Sequence, residues 1–258
     1  MSDSMSAPEP TTKATVKVGT TELRQALKAV HAHHRKGKKA DAQAQHRIRL
    51  TFARGTLFIG ACNEQSAALA KLTYVEDSRG DIWEPTDAPL IVDLQPRHIP
   101  LLAAWVSSKA VASDVDQLIA ITVDIRAGEI EFEDIGGLWS EGERVIYTFD
   151  PPHESFPDLI DLMGKALNQI AGAGERHKDL VQHGDVIKLF AEASTQYDAP
   201  LRIRATGSAE QRGFVVQCGH GFIGTVTSRH GDDDGLKTRD RIDQSWREAL
   251  GRKLTAVV

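Results

Sequence analysis

The chain holds two cysteines in 258 residues, Cys62 and Cys218, far apart and in no CxxC spacing. That excludes a disulfide framework and a cysteine-built zinc site, and it suits a reducing compartment. No apolar run approaches the ~20 residues of a membrane span. The first residues, MSDSMSAPEPTTKAT, lack the apolar centre of a signal peptide, so residues 1–14 are expected to form a loose tail. GHGFIG at 219–224 is not a GxGxxG opening a helix, which leaves no nucleotide cradle. No general base is specified near either thiol, so nucleophilic catalysis has no support. A soluble cytoplasmic protein without catalysis is the expectation.

Charge is present but uneven. The net value is −5, yet residues 13–49 carry ten Lys/Arg against two acids, Glu22 and Asp41. A basic segment on an acidic body can steer a polyanion, since the local field does the work. Arg24, Lys28, His31 and Arg35 fall at i, i+4, i+7 and i+11, along one helix face opposite Leu23, Leu27 and Val30. Lys36, Lys38 and Lys39 extend the stripe into a polar loop, and a second helix adds Arg97, His98 and Lys109. Such a stripe is either a solvated face or a sequence-independent phosphate contact. HAHH at 31–34 lacks the carboxylate or cysteine that would complete a metal shell, and DDD at 232–234 reads as a solvated loop. No metal or cofactor is expected.

The strongest pattern is repetition. TVKVG (15–19), a helix over 20–36, then HRIRLTF, LFIGAC and ALAKLTYV give the order strand, helix, three strands. APLIVDL (88–94), a helix over 95–109, QLIAITVDI, EIEFEDI and ERVIYTF repeat it. KDLVQHG (178–184), a helix over 185–198 capped by Asp185, PLRIRATG, GFVVQCG and FIGTVTS give it a third time. Each copy is too small to bury its own helix, so the copies must pack side by side. Between the second and third copies, residues 151–177 hold a Pro-rich connector and a helix at 157–171. After residue 229 a polar hinge leads to an amphipathic helix with Ile242, Trp246 and Leu250 on one face.

A repeated βαβββ unit resembles the building block of DNA sliding clamps. The likeness to the bacterial family, the beta subunit of the replicative DNA polymerase, rests on ELRQALKAV leading to RIRLTFARGTLFIGACNEQSAAL. It rests equally on DVIKLFAEASTQYDAPLRIRATG leading to GFVVQCGHGFIGTV, and on ESFPDL at the connector. The resemblance implies an α+β clamp fold with helices on one face of antiparallel sheets. It also implies a non-enzymatic processivity factor whose helices face duplex DNA and whose outer surface recruits a polymerase or other clamp-binding protein. Two units make a domain in that family, so residues 15–150 would form one domain and 178–229 half of another. A bacterial clamp chain has six units; three are present here, and a homo-oligomeric ring of twelve would take four chains. By the same resemblance the partner pocket falls on Phe222, Ile223, Val226 and Thr227 of the last strand, with Phe156 and Leu159 from the connector. The alternative is a clamp-fold interaction module that binds a protein and never encircles DNA.

Overall fold

The computed structural model describes residues 13–34, 47–75, 89–109, 117–136, 142–170, 184–207 and 212–227. The first unit is β1 (Lys13–Gly19), α1 (Thr20–His31), β2 (Ile48–Ala53), β3 (Thr56–Cys62) and β4 (Ser66–Thr73). The second is β5 (Leu90–Leu94), α2 (His98–Lys109), β6 (Leu118–Asp124), β7 (Glu129–Asp134) and β8 (Arg144–Thr148). α3 (Leu159–Asn168) follows in the connector. The third unit contains α4 (Gly184–Tyr197), β9 (Leu201–Gly207), β10 (Arg212–Cys218) and β11 (Phe222–Thr227). The strand expected at 178–183 and the hinge and helix expected after residue 229 lie outside the described residues, as does most of the expected N-terminal tail.

The first two units are interlocked. β1 leaves its own unit and pairs antiparallel with β6, giving the sheet β1-β6-β7-β8. β5 does the reverse and pairs with β2. Each unit therefore completes the other's sheet. The second sheet then continues into the third unit, in the order β5-β2-β3-β4-β11-β10-β9. The crossing is an antiparallel ladder from Phe222 opposite Ala70 to Val226 opposite Ser66. Gly55 and Gly128 take positive φ (65° and 67°) in the turns after β2 and β6, where a side chain is strained.

The core lies between the sheets and the helices. Leu23, Leu27 and Val30 of α1 meet Ile48, Leu50 and Phe52 of β2 and Leu57 and Ile59 of β3, all essentially without exposure. Burying each of these side chains contributes about 1.5–3 kcal/mol. α1 packs against α2 on one flank and α4 on the other, so the helices form a row α2–α1–α4, with α1 over β3 and β4 and α4 over β9, β10 and β11. Gly19 is the N-cap of α1, and the Thr20 hydroxyl donates to the Gln117 carbonyl at 2.6 Å. The start of α4 differs from expectation: Asp185 is not its cap but sits inside the first turn, which begins at Gly184. The cap of α3 is Asp158, whose carboxylate accepts from the amides of Ile160 and Asp161, both at 3.0 Å.

Candidate nucleic-acid and partner surfaces

The helix row is the candidate nucleic-acid surface. Lys28 and His31 are half-exposed on α1, and Arg24 is half-buried, with its Nε enclosed and lacking a hydrogen-bond partner among the described residues. Glu22 acts electrostatically on Tyr197 of α4, and His33, just past α1, lies against Phe190 of α4. These mark the α4 flank. Arg24, Lys28 and His31 stand on the opposite flank, toward α2. The stripe thus lines a helix seam rather than crowning the face. His31 is stacked on His34 with ring centres 4.5 Å apart, and its carbonyl accepts from the His34 ring. On α2, Arg97 is exposed at the entrance to the helix, where its Nε meets His98 Nε2 at 3.4 Å. The Lys109 ammonium is paired with Glu143 and lies 5.8 Å from the Trp105 ring centre. Arg35, Lys36, Lys38 and Lys39 lie outside the described residues.

The rest of the row carries both signs of charge. Glu22 of α1 and Asp185 and Lys188 of α4 are exposed, while the outward face of α2 presents Pro100, Leu101 and Ala104. Leu101 is 65% exposed.

The residues expected to form one partner pocket are divided between the two faces of β11, because side chains alternate along a strand. Phe222 and Val226 point to the helix side and are buried in the main core. Ile223 points to the outer face. There it joins Phe156 and Leu159 in a second, smaller core with Cys62, Ala67, Leu69 and Met163. α3 roofs this cluster: Leu159 presses so close to Gly60 that an added Cβ would stand 2.5 Å from its Cδ1. Thr227 closes β11. Beside α3 a cavity of about 320 Å³ is lined by Cys62, the 63–67 turn, Lys165, Gln169, Thr206 and Thr225. A smaller one of about 150 Å³ lies between Arg49, Ile91, Phe156 and Ile160.

Two polar arrangements were not anticipated. Arg49 of β2 and Asp93 of β5 form a two-pronged ion pair at 2.8 and 2.9 Å on the outer face. The guanidinium also donates to the His153 carbonyl at 3.1 Å and lies over the Phe156 ring, 4.2 Å from its centre. Asp93 Oδ2 accepts the His153 amide at 2.9 Å. The pair thus binds the exchanged strand and the connector at once. The alternating pattern of IRLTF and LIVDL marks Arg49 and Asp93 as outward-facing, but only the β2–β5 register makes them neighbours.

The second arrangement is His33. Its ring is fully buried, with Nδ1 3.1 Å from the Ser66 hydroxyl, an edge contact to Phe190 and Phe222 nearby. Burial pushes its pKa down to about 3, so the ring is neutral. Asn63 holds the same corner, donating to the His33 carbonyl and accepting the Gln65 and Ser66 amides. His33 therefore seals the joint between the first and third units. Of the histidines in HAHH, His31 and His34 are half-exposed and His33 is buried. No group of three or more potential metal ligands occurs among the described residues.

Strand-exchanged βαβββ units with helices on one face and antiparallel sheets on the other define an α+β clamp-type fold. Comparison with solved structures identifies it as the fold of bacterial DNA polymerase III beta sliding clamps. The clamp from Bacillus subtilis matches over 89% of this chain and 68% of its own, at 11% identity and a TM-score of 0.55. The beta subunit from Thermotoga maritima matches over 84% and 65%, at 11% identity and 0.54. The clamp from Caulobacter crescentus matches over 87% and 68%, at 13% identity and 0.52. The chain thus spans about two-thirds of the length of these clamps. No protein-family model matches it, and neither does any curated protein sequence.

Proposed function

We propose that this chain is a sliding-clamp-like tethering factor that holds duplex DNA against its helix row and presents its outer sheet face to a polymerase or another DNA-processing protein. Residues 15–150 act as one complete two-unit domain and 178–229 as half of a second. The observation that carries the reading is the row α2–α1–α4, in which α1 and α4 lie on one side of an unbroken seven-stranded sheet, in the fold that DNA sliding clamps share. Lys28, His31 and Arg24 on α1, with Arg97 just before α2, supply phosphate contacts that need no base sequence. Arg35, Lys36, Lys38 and Lys39 extend them. The work is topological, with no chemical step.

The experiment is duplex binding as a function of salt, comparing the parent with a variant carrying Arg24→Ala, Lys28→Ala and Arg35→Ala. Each phosphate contact contributes about 0.9 to the slope of log affinity against log salt. The variant is expected to bind more weakly with a flatter slope and to fold normally. Equal binding by both proteins would make the stripe a solvated face.

A specific observation favours a second reading. Leu101, Pro100 and Ala104 are exposed where a DNA-facing helix wants cations, and Lys109 is committed to Glu143. A clamp-fold module that binds a protein through this face would show no salt-sensitive affinity for duplex DNA.

A further inference from the structure

The outer face of the third unit carries charge of one sign. Along the ladders from β9 to β4, Arg202 lies in line with Gln217, Ile223 and Leu69, and Arg204 in line with Val215, Thr225 and Ala67. Residues opposite one another point to the same face, and Ile223, Leu69 and Ala67 belong to the cluster under α3. Arg202 and Arg204 are therefore outward, and both are exposed. None of the strands β4, β9, β10 and β11 contains an acidic residue.

Strand cations elsewhere are matched. Lys13 pairs with Asp124 and Arg144 with Glu131, each at 3.2 Å, and Arg49 pairs with Asp93 at 2.8 Å. Arg202 and Arg204 have no ion-pair partner among the described residues. The cavity of about 320 Å³ beside α3 borders them, since Thr206 and Thr225 both line it. Thr206 follows Arg204 by two residues on the same face of β9. Thr225 stands two strands away in the row of Arg204, about 10 Å at the usual strand spacing. Cys62, Ala67 and Ala166 give the cavity apolar walls.

We infer that Arg202 and Arg204 receive a short acidic segment of a partner protein, with carboxylates at i and i+2 on the two guanidiniums and an apolar side chain in the neighbouring cavity. The two arginines stand about 7 Å apart, the distance at which an extended segment repeats side chains on one face. Each guanidinium is a fork that matches a carboxylate with two parallel hydrogen bonds. A long polyanion fits less well: Glu154, Asp158 and Asp161 are exposed on and just before α3, so the positive charge stops at the cavity. Nucleic acid also brings no aliphatic side chain for the apolar walls. The inference names the partner chemistry of the outer face and rests on the reading of that face as the protein-binding side, not on DNA binding.

The test is fluorescence anisotropy on the full chain with a labelled synthetic peptide. The peptide has glutamates at two alternate positions and a leucine three residues beyond, a span of about 10 Å when extended. The parent is expected to bind it, and to bind roughly tenfold more weakly when the glutamates become glutamines. Arg202→Ala with Arg204→Ala should lose affinity to the same extent, with a native circular dichroism spectrum because both side chains are exposed. Should that pair fail to fold, Arg202→Gln with Arg204→Gln decides by the same criterion. Gln169→Trp, at the cavity wall, should remove the preference for leucine over serine in the peptide. No binding by the parent, equal binding by the double variant, or a leucine preference that survives Gln169→Trp would overturn the proposal. So would a labelled single-stranded oligonucleotide that binds through these arginines where the peptide does not. A parent that binds the peptide only after Asp232→Asn, Asp233→Asn and Asp234→Asn would assign the arginines to the chain's own acidic run and overturn it too. Duplex binding on the same samples separates the two readings. Peptide binding without duplex binding refutes tethering alone, and duplex binding without peptide binding refutes this inference alone.

Discussion

At the scale of single residues, His33 and the Arg49–Asp93 pair are the groups on which the assembly of units depends. His33 is neutral in the folded chain because burial disfavours its charged form, and its pKa falls from 6.5 to about 3. The unfolded chain takes up this proton near pH 6.5, and the folded chain does not until near pH 3. The contribution is therefore complete above pH 6.5 and is lost progressively as pH falls toward 3. Melting temperature should drop across that range, and His33→Phe should flatten the drop, which a pH series of thermal melts on both proteins measures. An unchanged slope would place the acid sensitivity elsewhere. For the ion pair, Arg49→Met leaves the wholly buried Asp93 carboxylate without its cation and should cost about 3–5 kcal/mol. The double change Arg49→Met, Asp93→Leu should recover much of that loss in urea unfolding, because two apolar side chains leave no orphaned charge. Arg49 also draws the Cys62 thiol pKa down, but burial outweighs it and raises it to about 11, consistent with an unreactive thiol.

At the scale of elements, the critical joint is where β4 meets β11 beneath α4. Gly224 makes it possible. A Cβ there would stand 2.4 Å from Phe190 Cε1 and 2.9 Å from the Ala67 carbonyl oxygen. Gly224→Ala is expected to cost about 1–3 kcal/mol through overpacking, with amide exchange rising first in β11 and α4. Exchange that rises uniformly would show that the third unit does not open separately. Periodicity made much of this level readable. The helices, the hairpins and the apolar faces of β2, β6 and α1 follow directly from the 3.6 and 2.0 repeats. Strand exchange does not, because alternation tells which face of β5 is buried but not which strand lies beside it. The same limit hid the Arg49–Asp93 pair. The division of Phe222 and Val226 from Ile223 is present in the period-2 pattern, whereas the family resemblance alone puts the whole last strand in one pocket wall. His33 gave no local signal at all: its burial comes from Phe190 and Phe222, more than 150 residues further along the chain.

At the scale of the whole molecule, the question is whether a chain of net charge −5 presents enough positive potential along its helix row to hold DNA. On the outer face α3 roofs one small apolar cluster, and the helix side is where Arg24, Lys28, His31 and Arg97 are found. Local field, not net charge, governs such an encounter. The measurement that tests the central claim most directly is retention on closed circular duplex DNA, compared with the same DNA cut once, by gel filtration in moderate salt. The account predicts co-elution with the circle and release after linearisation, because a tether that acts by topology slides off a free end. Equal retention on circular and linear DNA, or none on either, would contradict it.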